Sequence, residues 1–279
     1  MWTVTHPDIA AATAFTTCIS RIRDAGLRQR LQSVTQIIVD AANEYDALAE
    51  LRSLHQVPAT NNVGGVVTGD EMIAVYEQRM AAKRCVGRAI YDQIKLLPKD
   101  DRCPYCDQRN IATLDHLLPK ALYPALAVTP INLIGACTEC NKLKLSAAPE
   151  HAEDVFLHPY FDDITEDPWL RANVVPESPC AIVFGVHPPP NWDNLTAARA
   201  TNQFQLLELG SLYSSEAARE LANIRFNLQR HFNAGGPAAV RTELLFQWES
   251  RLANRLNSWQ TAMYEAISHD EWFYSGGFA

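Results

Sequence analysis

Two pairs of cysteines have the spacing of a metal site. Cys103 and Cys106 are separated by two residues, and so are Cys137 and Cys140. One tight turn can present both thiolates of such a pair to one ion, and two turns complete the tetrahedral four-sulfur site that zinc prefers. A redox dithiol is the alternative, but that motif occurs singly beside a βαβ pattern, which we do not find in this chain. The spacing therefore predicts one closed, structural zinc site per chain.

The thirty residues between the cysteine pairs contain side chains that could do chemistry. Asp115 and His116 follow a short apolar run, and His116 is the one histidine between residues 95 and 146. Asn141 follows the last cysteine directly. Imidazole can act as a base near neutral pH, and carboxylate and amide oxygens suit Mg²⁺ or Mn²⁺. Phosphodiester hydrolysis needs both a base for water and a cation to stabilise charge. Without a surrounding motif, neighbouring Asp and His residues more often form a hydrogen-bonded pair with a structural role.

The order of these residues resembles the HNH endonuclease family. Its ββα-metal fold carries the motifs C-x-x-C, D-H-x-x-P-K, N-L and C-x-x-C-[HN]-x-x-K, which residues 103–144 present in order. The resemblance implies that Asp115 and Asn141 hold a catalytic Mg²⁺ or Mn²⁺ ion and that His116 deprotonates the attacking water. Asn132 would brace the loop that aims His116. The last position is Asn141 rather than histidine, which leaves the preferred metal open.

Two lysines of the same segment could contact the substrate. In the resemblance, Lys120 and Lys144 face phosphate as point charges. A solvated surface position is the alternative for lysines in this segment. The motifs alone do not decide between the two readings.

Longer stretches resemble a narrower group of nucleases. The segments LDHLLPK, PINLIGACTECNKLK and HPYFDD look like the PtuB-like HNH nucleases of bacterial anti-phage defence systems, which act beside an ATPase. This resemblance implies an antiviral defence role and an ATPase partner. The chain has no phosphate-binding G-x-x-x-x-G-K-[ST] motif, so any nucleotide hydrolysis would belong to another chain.

Mainly helical regions must position these residues. Apolar side chains recur at helical spacing from Leu27 to Leu51 and again after a turn-rich break, with Asp70 as the expected N-cap. A strand is expected at Cys180–Val186 and one long helix from Val240 to Ile267. We predict an α+β, mainly helical fold, in which a zinc-stapled ββα-metal module is embedded between N- and C-terminal helical regions. The predicted parts are residues 1–94, 95–146 and 147–279.

The charge is distributed unevenly along the chain. The total is −8, but the three parts carry −1, +2 and −9, and no lysine follows Lys144. An acidic protein is not expected to coat nucleic acid through bulk charge, whereas the middle part is locally cationic. Without a membrane span or a secretory signal in the 279 residues, we expect a cytoplasmic protein.

The sequence thus predicts a metal-dependent endonuclease that hydrolyses DNA phosphodiester bonds, with targeting supplied by a partner. A non-enzymatic zinc-ribbon adaptor is one alternative, and an RNA nuclease that uses the same site is another. Strand preference, sequence specificity and partner stoichiometry stay open.

Overall fold

Helices and three short antiparallel hairpins make up the described residues, 3–144 and 148–279, of the computed structural model. The fold is α+β and mainly helical, as predicted. The chain divides into two units, Met1–Asp163 and Ile164–Ala279. The predicted boundary between the second and third parts, at residues 146 and 147, lies outside the described residues.

Among the described residues, five α-helices and one hairpin precede the cysteine segment, residues 103–144. The helices are α1 (Ala11–Ile19), α2 (Ala25–Ser33), α3 (Thr35–Glu50), α4 (Gly69–Val75) and α5 (Arg88–Lys95), and β1 (Asn62–Val63) pairs with β2 (Val67–Thr68). A π-helix, Tyr76–Ala81, continues from α4.

The N-terminal helices begin and end differently from the prediction at two places. The expected continuous stripe is divided at Val34, although Leu31, Val34 and Ile38 are all buried on both sides of the break. The helix α4 is capped by Thr68 and not by Asp70. The hydroxyl of Thr68 accepts a hydrogen bond from the Glu71 N–H, and the Glu71 carboxylate accepts one from the Thr68 N–H. The two bonds form a capping box.

The cysteine segment contains a hairpin followed by a helix. Strand β3 (Thr113–His116) pairs antiparallel with β4 (Leu133–Ala136), and α6 (Thr138–Leu143) follows directly. Gly135 of β4 lies close to the end of α5, where an added Cβ would be 3.2 Å from the carbonyl oxygen of Lys95. The hairpin therefore packs tightly on the preceding helix.

The hairpin shares one hydrophobic core with the N-terminal helices. Leu114 of β3 and Leu133 of β4 belong to the same buried cluster as Ile38, Met72 and Ile94. The hydroxyl of Tyr91 on α5 accepts a hydrogen bond from the backbone N–H of Leu114 at 3.2 Å. Residues of the preceding helices thus hold strand β3 in place.

The second unit combines one hairpin with long helices. Strand β5 (Leu170–Val175) pairs with β6 (Ala181–Val186), and the helices are α7 (Asn194–Leu206), α8 (Leu209–Asn254) and α9 (Trp259–His269), with a π-helix at Phe273–Gly277. The helix α8 is interrupted at Gly235 and Gly236, where Gly236 has a φ of 64°.

The predicted strand at Cys180–Val186 is confirmed, but the long helix expected from Val240 to Ile267 is wrong. The chain turns between α8 and α9 because the Asn257 side chain bonds to β5, accepting from the N–H groups of Trp169 and Leu170. Ser258 then caps α9 by accepting from the Thr261 N–H. Among the described residues, no helix has the length and apolar character required to cross a membrane.

Candidate functional site

Four buried cysteines converge on one point. Cys103 and Cys106 lie on the loop before β3, Cys137 is the N-cap of α6, and Cys140 lies in its first turn. All four sulfur atoms lie within 4.8 Å of one another, and the Cys106 and Cys137 sulfurs are 4.0 Å apart. Zn–S bonds of about 2.3 Å in a tetrahedron require sulfur–sulfur distances of about 3.8 Å. The cluster could therefore hold a metal ion such as zinc.

The surroundings favour thiolates at Cys106 and Cys137, whereas burial raises the pKa of Cys103, and hydrogen bonds with the neighbouring thiols raise the pKa of Cys140. Hydrogen bonds from neighbouring thiols, that of Cys103 first, hold the pKa of Cys106 below its usual value, and the backbone N–H of Arg109 acts in the same direction. The N–H of Cys140 points at the sulfur of Cys137 at 3.4 Å. The guanidinium of Arg109 also interacts electrostatically with three of the sulfurs. These contacts would partly offset the negative charge of four thiolates around one divalent ion.

Asp115 lies at the end of β3 and forms a buried ion pair. Its Oδ1 accepts from Lys144 Nζ at 3.3 Å, and its Oδ2 accepts from the Tyr105 hydroxyl at 2.9 Å. The side chains of Asp115 and Lys144 are only 4% and 7% exposed. Burial raises the pKa of Asp115, against the opposing effects of Lys144 and Tyr105. Lys144 also donates to the backbone carbonyl of His116 at 2.6 Å.

The imidazole of His116 has a defined tautomer. Its Nε2 lies 2.8 Å from the carbonyl oxygen of Ala127, and because a carbonyl can only accept, Nε2 carries the proton. The lone pair is therefore on Nδ1. The ring of Tyr76 meets the imidazole edge to face, with centroids 4.4 Å apart. Burial, reinforced by the charges of Lys120 and Lys144, lowers the pKa of His116 to about 3, so the isolated protein holds a neutral imidazole.

Asn132 holds the two loops beside His116. Its Oδ1 accepts from the N–H of Leu118 at 2.8 Å, and its Nδ2 donates to the carbonyls of Leu118 at 2.9 Å and Leu126 at 3.3 Å. Leu118 follows His116 by two residues, and Leu126 precedes Ala127. The side chain is fully buried, and its three hydrogen bonds link the two loops.

A cleft of about 530 Å³ brings most of the predicted residues together. It is lined by Asp115, His116, Lys120, Asn141 and Lys144, and also by Tyr76, Glu77 and Lys142. Asn132 does not line the cleft and lies behind it. Lys120 is half-buried, with its Nζ 3.9 Å from Glu77 Oε1 and 5.5 Å from the centre of the Tyr76 ring. The cleft thus combines two carboxylates, one imidazole, one amide and three lysines.

Two tyrosines at the site escaped the sequence analysis. Tyr76 lies 40 positions before His116, so only the fold brings the two rings together. Tyr105 lies inside the first cysteine pair, where its hydroxyl could have been considered as a partner for Asp115. His158 is buried, and its Nε2 lies 2.9 Å from the hydroxyl of Tyr45 and 3.2 Å from the carbonyl oxygen of Ile131.

Comparison with known proteins finds a similar phage protein. Protein ea31 of Escherichia phage lambda is 31% identical to this chain over 238 residues, which cover 80% of the chain and 79% of that protein. No family model matches the chain, and no solved structure matches it either.

Proposed function

The chain belongs to the family of protein ea31 of Escherichia phage lambda, and we propose that it is a metal-dependent HNH endonuclease that hydrolyses DNA phosphodiester bonds. The observation that carries the proposal is the position of His116. Its Nδ1 lone pair is kept free by the bond between Nε2 and Ala127, in a cleft that it shares with Asp115 and Asn141. In this proposal, the hairpin β3–β4, the helix α6 and the cysteine cluster beside the cleft form a ββα-metal module with a structural zinc ion.

His116 acts as the general base in this proposal. Its Nδ1 takes a proton from water as the water oxygen bonds to phosphorus and the bond from phosphorus to the 3′ oxygen breaks, and the 3′ oxygen takes up a solvent proton. A pKa of about 3 makes a weak base, but a phosphate anion that enters the cleft favours the protonated imidazole and raises this pKa. The products carry 5′ phosphate and 3′ hydroxyl ends.

Asp115 and Asn141 provide the oxygen ligands for Mg²⁺ or Mn²⁺. A carboxylate and an amide carbonyl in one cleft fit the preference of both ions for hard oxygen donors. The bound ion would stabilise negative charge on the phosphorane and on the departing oxygen. Because Lys144 donates to the same carboxylate, a cation at Asp115 competes with the ammonium group. Lys144, once released, can contact phosphate together with Lys120.

The proposal includes a targeting partner. The second unit and the residues before it from position 147 carry a net charge of −9 and no lysine, which gives this part of the chain little attraction for DNA. An ATPase that recruits the nuclease in anti-phage defence would supply the missing affinity. Adding such an ATPase with ATP should increase cleavage of the same DNA substrate.

A plasmid assay tests the nuclease proposal. Supercoiled plasmid is incubated with the wild type, His116→Ala and the control His187→Ala in Mg²⁺ or Mn²⁺, where His187 is exposed in the second unit. Loss of a general base costs about 10²- to 10⁴-fold in rate, so only His116→Ala should lose activity. Equal cutting by all three proteins rejects His116 as the base. Intact plasmid under every condition, with DNA binding retained in His116→Ala, favours the zinc-ribbon adaptor, and selective cutting of RNA favours the RNA nuclease.

A further inference from the structure

A second cleft in the first unit is lined by arginines. It measures about 470 Å³ and is formed by the end of α1, the π-helix and the turn before α5. Arg21, Arg79 and Arg84 line it together with the hydroxyl residues Thr17 and Ser20, and no aspartate or glutamate does. Its only charged side chains are therefore cationic.

The three arginines have no counterion within the described part of the chain. None of their guanidinium groups forms a salt bridge or hydrogen bond there, whereas Arg30 nearby pairs with Glu71, and Arg88 pairs with Asp92. Three like charges around one cleft repel each other unless an anion binds among them. Such a cluster stands out in the first 94 residues, where acidic groups outnumber basic groups.

The backbone around the cleft is tightly constructed. The N–H of Gly87 donates to the carbonyl of Arg79 at 2.9 Å. A Cβ at position 87 would lie 2.6 Å from that carbonyl oxygen and 2.7 Å from the sulfur of Cys18. Only glycine allows the turn to come this close to both the π-helix and α1. The close approach brings Arg84, three residues earlier, to the same cleft as Arg79.

The π-helix Tyr76–Ala81 contributes residues to both the arginine cleft and the cleft that contains His116. Tyr76 and Glu77 of the π-helix line the His116 cleft, while the next residues, Gln78 and Arg79, line the arginine cleft. The two clefts are therefore separated by about the width of a helix, ~10 Å. At about 3.4 Å of rise per nucleotide, this distance corresponds to about three nucleotides of one strand.

We propose that the arginine cluster Arg21, Arg79 and Arg84 binds a backbone phosphate of the DNA, a few nucleotides from the bond that is cut. This inference rests on the proposed nuclease function for the identity of the anion. The guanidinium group suits the role because its planar donors can contact two phosphate oxygens at once. The hydroxyl of Thr17 can add a neutral donor, whereas the hydroxyl of Ser20 donates to the carbonyl of Thr17 at 2.8 Å. The cluster contributes affinity and register but no sequence selectivity.

DNA binding by a non-cutting protein tests the inference. All variants are made in the His116→Ala background, and anisotropy of a short fluorescent DNA duplex is measured between about 50 and 200 mM salt. The pocket variant replaces the three lining arginines: Arg21→Gln, Arg79→Gln and Arg84→Gln. The control variant removes the same charge from three exposed arginines that have no partner in the described chain: Arg23→Gln, Arg225→Gln and Arg230→Gln.

The pocket variant should bind at least about tenfold more weakly than the control at low salt. The slope of log K against log salt should decrease by about 0.9 for each phosphate contact that is lost. Arg84→Gln alone changes an exposed side chain and should show a smaller loss in the same direction without affecting the fold. Equal affinity and slope in the pocket and control variants would overturn the inference.

Two further measurements separate the sources of phosphate and the two proposals. Calorimetric titration with pyrophosphate or ATP should show no saturable site, and tight binding that the pocket variant abolishes would make this a site for free phosphates instead. Plasmid that the wild type leaves intact removes the nuclease function, while selective loss of duplex binding still supports the arginine site. Plasmid cutting that depends on His116 but is unchanged by the pocket substitutions leaves the nuclease and rejects the site.

Discussion

Replacing Asn132 by alanine tests how the environment of His116 is held in place. The substitution removes all three hydrogen bonds that the buried amide forms with Leu118 and Leu126. The carbonyl of Leu126 also accepts from the N–H of Thr129 at 3.2 Å, so it keeps a partner. The N–H and the carbonyl of Leu118 keep none among the described residues. Two buried backbone groups are thus left unsatisfied.

The expected decrease in the free energy of unfolding follows from these two unsatisfied groups. Each buried polar group without a partner costs about 1–3 kcal/mol, so Asn132→Ala should lower the free energy of unfolding by about 2–6 kcal/mol. The loss also loosens both loops beside His116, because Leu118 follows it and Leu126 adjoins Ala127, which holds the imidazole. A displacement of about 1 Å at a reacting group can cost about 10²-fold in rate. We expect a loss of this order at temperatures where the variant is still folded.

Urea denaturation and plasmid cleavage measure the two effects. Asn233→Ala is the matched control, because Asn233 is exposed and accepts one hydrogen bond from Gln229, and it should change stability by no more than about 0.5 kcal/mol. The variant Asn132→Asp keeps the acceptor for the Leu118 N–H but presents no donor until it is protonated. Its stability relative to the wild type at the same pH should therefore rise as the pH falls. If Asn132→Ala unfolds within about 0.5 kcal/mol of the wild type, the bracing argument is refuted.

Three further predictions concern the metal sites and the buried charges. Elemental analysis should find about one zinc per chain, and Cys103→Ser should unfold the first unit, because structural zinc contributes about 10–16 kcal/mol of apparent binding energy; a stable, zinc-free wild type would contradict this. The pKa of His116 is lowered from 6.5 to about 3, so the unfolded chain takes up a proton that the folded protein does not. Stability should therefore fall by about 1.4 kcal/mol per pH unit as the pH drops below about 6.5, and a His116→Gln variant with the same pH dependence in urea denaturation would show that burial does not depress this pKa. Lys144→Ala leaves the Asp115 carboxylate buried without its ion pair and should cost about 3–5 kcal/mol. Mn²⁺ should restore thermal stability to Lys144→Ala more than to the control Lys142→Ala, and equal responses would argue against a cation at Asp115.

Residues close in sequence were predictable, and those joined only by the fold were not. The spacing of the cysteines predicted the four-cysteine cluster, and Asp115, His116 and Asn132 could be proposed as site residues because their motifs are short. The ion pair between Asp115 and Lys144 was not foreseen. It spans 29 positions, and only the hairpin and α6 bring its two members together.

The ends of the helices also could not be predicted where they depend on contacts that are distant in sequence. The apolar stripe continues across Val34 and across the turn at Asn257, so its periodicity could not indicate the breaks. The turn at Asn257 depends on hydrogen bonds to Trp169 and Leu170, 88 and 87 positions away. The capping box of Thr68 and Glu71 has a recognisable local pattern and could have been read instead of Asp70. The roles of the cleft residues stay predictions until cleavage is measured.

The shared core of the hairpin and the N-terminal helices restricts how the cysteine segment can evolve. Leu114 and Leu133 are covered by residues of helices that precede the cysteines, and the N–H of Leu114 bonds to Tyr91. A fragment of residues 95–146 would keep all four cysteines but would expose these leucines to water. Recombination that moved only this segment into another gene would therefore transfer Asp115, His116 and the four cysteines without the helices that hold the hairpin in place. The segment and its N-terminal helices should be inherited together, with substitutions in one compensated by substitutions in the other.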